Sequence, residues 1–212
     1  MLELGVKTLL AYLLGSVIGS LVMGRFRGVD IRELGSGNAG GTNALRTQGW
    51  QFALGVVAID VGKALLAVGL LPGLVLPLVG IDPAVDREWL AVACAAAVVV
   101  GHVYPVWHEF RGGKGAATLL GAVAVLAPGA LLPVVLAWLA CVMLTGYVGL
   151  GTMVGAATLP VYFGLTGDRP AALVAFGLAM TAFVVYTHRS NLARMLAGSE
   201  NRARRLWLLR PR

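Results

Sequence analysis

Three clusters of polar residues interrupt an otherwise apolar chain, and each carries residue types suited to holding phosphate. The first runs from Gly35 to Arg46 and reads GSGNAGGTNALR. Its glycines let the backbone approach a ligand closely, and successive amide N–H groups in such a loop can form an anion nest. Thr42 and Asn43 stand where a helix N-cap is expected, and a helix N-terminus favours phosphate. Arg46 offers a planar guanidinium fork matched to an oxyanion. An ordinary capped loop between two spans needs neither both Asn38 and Asn43 nor so many glycines.

The second cluster, Gly101 to Thr118, reads GHVYPVWHEFRGGKGAAT. Gly112, Gly113 and Gly115 surround Lys114 just ahead of an apolar helix, which is the composition of a phosphate cradle. It is not a Walker A loop, because His108 stands where the first glycine belongs and Gly115 replaces the Ser or Thr after the lysine. That argues against an ATPase. His102 reads first as a buried packing residue near the end of a span, His108 and Glu109 as interfacial, and Tyr104 and Trp107 as belt aromatics. The third cluster is HRSNLAR, 188–194, followed by Gly198-Ser199-Glu200. His188 and Asn191 are three apart and share a helical face, which Arg194 continues. The arginines beyond Glu200 read as an anchor to anionic lipid. Asp60 and Lys63 lie at helical spacing inside an apolar run, where ions are expensive unless paired or functional; mutual pairing in a structural role is expected. Cys94 and Cys141 read as small buried hydrophobes. No carboxylate cluster is present to hold a metal, so neither metal nor other cofactor is expected.

The elements that position these clusters follow from composition. The chain is 58% hydrophobic and 13% charged over 212 residues, with a mean hydropathy of +0.82. Soluble domains carry roughly 45–50% apolar and about 25% charged residues. So little charge cannot cover a water-facing surface, and the chain reads as one all-α, polytopic membrane domain over 1–212. Seven transmembrane helices are expected, at about 4–23, 50–71, 89–107, 116–127, 131–147, 152–166 and 171–187. The first run carries Lys7 and lacks an A-x-A site, so it reads as a span and not as a cleaved signal peptide.

The net charge is +7. With seven spans, the segments after spans one and three and the C-terminal tail hold 13 of the 17 basic residues, Arg210 and Arg212 among them. The other side receives Lys7, Arg87 and Arg169 beside Glu3, Asp82, Asp86, Glu88 and Asp168. The positive-inside bias then puts the N-terminus outside, and the C-terminus and all three clusters on the cytoplasmic face. Basic residues used this way leave no reason to expect a nucleic-acid partner.

Taken in order, GSGNAGGTNALRTQG, GHVYPVWHEFRGGKGAAT and HRSNLARMLAGSE resemble the acyl-phosphate-dependent glycerol-3-phosphate acyltransferases of bacterial membranes, the PlsY family. The length, the seven-span plan and the Asp60/Lys63 pair fit as well. Departures are small: Gly41 where alanine is usual, Ala39 and Leu192 where isoleucine is usual, and Ala64 where glycine often follows the lysine. The resemblance implies transfer of a fatty acyl group from acyl phosphate to the sn-1 hydroxyl of glycerol 3-phosphate, giving lysophosphatidic acid and phosphate at the bacterial inner membrane. The implied partners are those two substrates and membrane lipid, with the protein a monomer. The implied catalytic residues are Ser36, Arg46, Lys114, His188 and Asn191. Gly37, Asn38, Gly41, Thr42, Asn43, Gly112, Gly113, Gly115 and Thr118 are the implied substrate-binding residues. Which phosphate Arg46 and Lys114 each bind, and whether His188 is a general base or an orienting group, stay open at this level; Ser36 has no obvious base beside it in sequence. The main rival is a small organic-phosphate transporter, which would need polar residues along a path through the bilayer. A phosphotransferase of the CDP-alcohol type lacks its paired aspartates here.

Overall fold

The computed structural model describes residues 1–167 and 170–209; Asp168, Arg169, Arg210 and Arg212, which entered the charge argument, lie outside the described residues. Those described are helical and contain no strand. In hydrocarbon the backbone has no solvent partner, and a helix satisfies its polar groups within one segment. The helices are α1 Leu2–Gly15, α2 Gly19–Arg27, α3 Gly41–Gln48, α4 Trp50–Gly69, α5 Arg87–Val103, α6 Ala116–Leu126, α7 Leu131–Thr145, α8 Val148–Leu165, α9 Ala171–Thr187 and α10 Arg189–Leu196. Five stretches are long and apolar enough to cross a bilayer: Leu2–Arg27, Trp50–Gly73, Arg87–His108, Pro128–Thr145 and Val148–Leu165. The pair α9 and α10, bent by 52°, makes a sixth. The remaining expected segment is α6, with 11 residues. At 1.5 Å per residue it covers only about half of a hydrocarbon core roughly 30 Å thick.

Internal contacts divide the chain into two compact units, Met1–Leu126 and Ala127 onward. In the first, α1 and α5 run parallel with their backbones nearly touching. A Cβ on Gly15 would lie 2.3 Å from the Val98 carbonyl oxygen, and one on Gly101 would lie 2.2 Å from that of Tyr12. Only glycine permits this approach, the small-residue packing that membrane helices use where burial supplies no drive. At the start of both helices Glu3 binds Lys7 (2.7 Å) and both terminal nitrogens of Arg87 (2.7 and 2.8 Å), and it accepts from Asp82 N. Lys7 also donates to Pro72 O at 2.9 Å. Glu3 and Lys7 are fully buried.

Helix α4 runs antiparallel to the first span and carries the expected ion pair, with Lys63 Nζ 3.1 Å from Asp60 Oδ1. The pair does more than neutralise itself. Lys63 donates to Gly15 O (2.8 Å) and Val17 O (2.6 Å), while Asp60 Oδ1 accepts from Gly19 N at 3.0 Å. Those are the carbonyls at and just after the end of α1 and the first amide of α2, so the pair satisfies a helix break within an apolar stretch long enough to cross a bilayer, where orphan backbone groups are costly.

The second unit stacks α7, α8 and α9. Gly151 and Gly155, one turn apart on α8, face α7; a Cβ on Gly151 would lie 2.8 Å from Val142 Cγ2 and 3.0 Å from Trp138 O. Thr181 of α9 donates to Ala156 O of α8 at 2.9 Å. The segment after Glu200 returns to the end of α7, where Ala203 N, Trp207 Nε1 and Leu208 N donate to Gly146, Leu144 and Met143 carbonyls.

Candidate active site

The first cluster is a loop folded over its own helix. Gly35 and Gly37 adopt positive φ, and Ser36 lies exposed at the tip between them. Thr42 and Asn43 do not cap α3. The N-cap is Gly40, and Asn43 sits within the first turn. Its side chain accepts from Ser36 N (3.0 Å) and donates to Ile31 O and Leu34 O (3.2 and 2.9 Å). A cap and a loop brace both use the asparagine side-chain oxygen to accept from a backbone N–H, which is why composition alone points to the wrong use. Thr42 and Arg46, four apart, are both exposed, whereas Asn43 is buried. Asn38 is partly buried, and a Cβ on Gly40 would meet its Nδ2 at 2.7 Å.

The second cluster leaves α5 at Val103, turns through a short 3-10 segment at Val106–His108, and passes Glu109 and Phe110 with φ of 55° and 57°. Left-handed backbone at two non-glycine residues is strained and persists only where the surroundings enforce it. Here Phe110 N donates to Pro105 O and Arg111 N to His108 O. The chain then turns back along α5: Gly112 N donates to Val103 O and Gly113 N to His102 O, both at 3.1 Å. A Cβ on Gly112 would lie 2.1 Å from His102 O. The cradle expected from the Gly112 and Gly113 amides is thus corrected, because both point at α5 carbonyls. The amides left for an anion are those of the first turn of α6, which begins just after Gly115 and closes its first bond from Leu119 N to Gly115 O at 2.7 Å. This return path also explains the length of α6, which starts already inside the bundle. Lys114 is partly buried, and Thr118 is fully buried with its hydroxyl oxygen unpartnered.

The first two clusters lie at the same end of the first unit. Asp30 caps its short helix through Arg32 N and holds the Arg32 guanidinium (2.7 Å), and Arg32 reaches His108 O and Arg111 O at 3.4 and 3.5 Å. The guanidinium holds the Asp30 carboxyl below the usual aspartate range. Ser20 donates to Ala39 O (2.8 Å), Ser16 accepts from Val106 N (3.3 Å), and Tyr12 donates to Tyr104 O (2.8 Å). None of these supports stands out in the sequence. The faint signal is Tyr12, Ser16 and Ser20, polar groups four apart along an otherwise apolar run.

In the second unit His188 lies at the bend between α9 and α10, and its Nδ1 is 2.8 Å from Val184 O. A ring that donates from Nδ1 carries its lone pair on Nε2. Asn191, also buried, donates to Glu200 Oε1 at 2.7 Å, and Arg194 donates to Glu200 Oε2 at 2.6 Å. Glu200 therefore fixes both residues, a role its position beyond the helix does not announce.

The family model described as glycerol-3-phosphate acyltransferase matches residues 6–198. A glycerol-3-phosphate acyltransferase of Clostridioides difficile is 42% identical over 193 residues, covering 91% of both chains. One from Chlorobaculum parvum is 36% identical, covering 91% of this chain and 93% of its own. Among solved structures, PlsY, an integral membrane glycerol 3-phosphate acyltransferase, in its glycerol 3-phosphate form is 32% identical, with a TM-score of 0.80 over 94% of each chain. Its lysophosphatidic acid form gives 0.78 at 31% identity. With identity above 30% across nearly its whole length, the chain belongs to the glycerol-3-phosphate acyltransferase family.

Proposed function

We propose that this protein transfers a fatty acyl group from acyl phosphate to the sn-1 hydroxyl of glycerol 3-phosphate, releasing lysophosphatidic acid and inorganic phosphate. The observation that carries the reading is the family match over residues 6–198, which spans all three polar clusters. Both proposed substrates are phosphates, and Arg46 on α3 and Lys114 ahead of α6 are the cations assigned to them, with the α6 amides as a second anion contact. Gly37, Asn38, Gly41, Thr42, Gly115 and Thr118 are assigned to the substrate side, and Asn43, Gly112 and Gly113 hold the backbone in place. Ser36, without a partner base, is assigned a hydrogen bond to a phosphate or to the reacting carbonyl.

Acyl phosphate is a mixed anhydride with phosphate as leaving group, so the protein supplies chiefly orientation and charge stabilisation. The hydroxyl oxygen adds to the carbonyl carbon, the C–O bond to phosphate breaks, and the hydroxyl proton ends on the departing phosphate. His188 Nε2 accepts a hydrogen bond from the hydroxyl and orients it, and Asn191 assists. The protein is proposed to act as a monomer, a single membrane domain with seven crossings, the short α6 being the fourth, and with the N-terminus outside and these residues on the cytoplasmic side of a bacterial inner membrane.

Donor and regiochemistry are tested together by supplying acyl phosphate, acyl-CoA or acyl carrier protein thioester separately and fixing the product's ester position by NMR. Product from acyl phosphate alone, esterified at sn-1, is expected; equal use of a thioester overturns the donor assignment. No observation favours a transporter. The buried charges Asp60 and Lys63 bind the backbone of the α1–α2 break.

A further inference from the structure

His102 of α5 joins the buried ion pair to the segment carrying Lys114. On one side, its Nδ1 lies 2.9 Å from Lys63 Nζ and 3.3 Å from Asp60 Oδ1. On the other, its ring lies against Gly113: a Cβ there would come within 2.2 Å of Nε2 and 3.1 Å of Cδ2 and Cε1. Its own carbonyl accepts from Gly113 N. The ring cannot retreat, because Asp60, Lys63 and His102 are all at most 4% exposed and Lys63 is itself tied to Gly15 O and Val17 O.

We propose that Asp60, Lys63 and His102 form a positioning device for Lys114, in which the His102 ring sets the path and depth of the returning segment and so where the ammonium meets its phosphate. The proposal rests on the reading of Lys114 as a phosphate-holding residue. A purely structural cluster would lower stability when disturbed and leave substrate affinities alone. A positioning cluster shifts the same parameter that Lys114 controls.

The test is a double-variant cycle in the full-length protein in detergent micelles, with Lys114→Ala as reference and both substrates varied. Gly113→Ala drives a methyl into the ring and must displace the segment by about 1 Å, which can cost up to about a hundredfold when it misplaces a binding group. It is expected to raise by at least about tenfold the KM of whichever substrate Lys114→Ala affects. His102→Asn keeps a polar atom near the Nδ1 position, beside Lys63 and Asp60, but lacks Nε2 and Cε1, which opens room for that methyl. The double variant is therefore expected to recover, with a KM at least about fivefold below that of Gly113→Ala alone. Effects that multiply, or a KM that never moves while stability falls, overturn the proposal. Where Gly113→Ala yields no folded protein, His102→Asn alone decides, through a rise in that same KM or none. Inorganic phosphate binding by titration calorimetry reads the segment without turnover. A wild type that makes no product but shows the same relief in phosphate binding sinks the acyl-transfer reading and leaves the positioning standing. A wild type that neither turns over nor binds phosphate sinks both.

Discussion

Glu3→Gln is a near-isosteric change at the end of the first unit away from the polar loops, and its cost follows from counting donors. Glu3 Oε1 accepts from Lys7 and Arg87 Nη1, and Oε2 accepts from Arg87 Nη2 and Asp82 N. Whichever way a glutamine amide turns, its NH2 faces two donors, so two of the four bonds are lost. Bonds to charged groups contribute about 1.5–3 kcal/mol each, and Lys7 stays fully buried opposite a neutral group. The Arg87 side chain is 43% exposed, so its share is reduced by solvent, and the net loss comes to about 3 kcal/mol. At this chain length that is a fall in Tm of about 6–12 °C. Denaturant titration in mixed micelles measures the first quantity and a thermal scan the second. Because α1 and α5 separate this network from the loops at 30–38 and 106–115, both KM values should stay within about twofold of wild type, the reaction asking nothing of this end. A loss below about 1 kcal/mol would refute the donor count, and a large shift in either KM would refute the separation of the two ends.

Asp30 is held ionised by Arg32 below its ordinary pKa of about 4, so the pair adds stability above that value and loses it as pH falls below. Asp30→Asn should therefore be less stable than wild type at pH 7, with the two converging as the pH falls below the ordinary aspartate range; parallel curves in acid titration would contradict this. Gly101→Ala puts a methyl 2.2 Å from the Tyr12 carbonyl oxygen and should cost about 1–3 kcal/mol by forcing α1 from α5, read as a lower Tm. Ser36→Ala should lower activity by about tenfold or more, the loss of one hydrogen bond to a charged substrate group, and no acyl-serine should form in the wild type, since no base stands ready to make it a nucleophile; a trapped acyl-serine by mass spectrometry would reverse that assignment. EDTA should leave the rate unchanged in a steady-state assay, because orientation and fixed cations carry the proposed reaction.

What the sequence discloses and what it hides divide along physical lines. Hydropathy marks the apolar runs, because each residue in lipid reports its own solvent, and every expected segment contains a helix. The pairing of Asp60 with Lys63 is legible because a three-residue spacing fixes their geometry on a helix. The break at Gly15–Gly19 is not, since glycines and serines there suit close helix packing as well as a break, and the break depends on the close approach of α5 and on partners from α4. Glu3 and Arg87 are 84 residues apart, and no local pattern relates them. The glycines flanking Lys114 are conspicuous in composition, but whether their amides face a ligand or a neighbouring helix is a matter of tertiary path. The same holds for Asn43 and for Glu200, whose side chains brace loops that only the folded chain brings near.

The central claim is acyl transfer, and it is tested most directly by incubating purified protein with acyl phosphate and labelled glycerol 3-phosphate in the absence of CoA, beside Arg46→Ala. The account predicts labelled lysophosphatidic acid and an equal amount of released phosphate from the wild type, and at least a hundredfold less from the variant, about 2.7 kcal/mol of lost charge stabilisation. Intact, folded wild-type protein that yields no product, or a variant that matches it, would contradict the account.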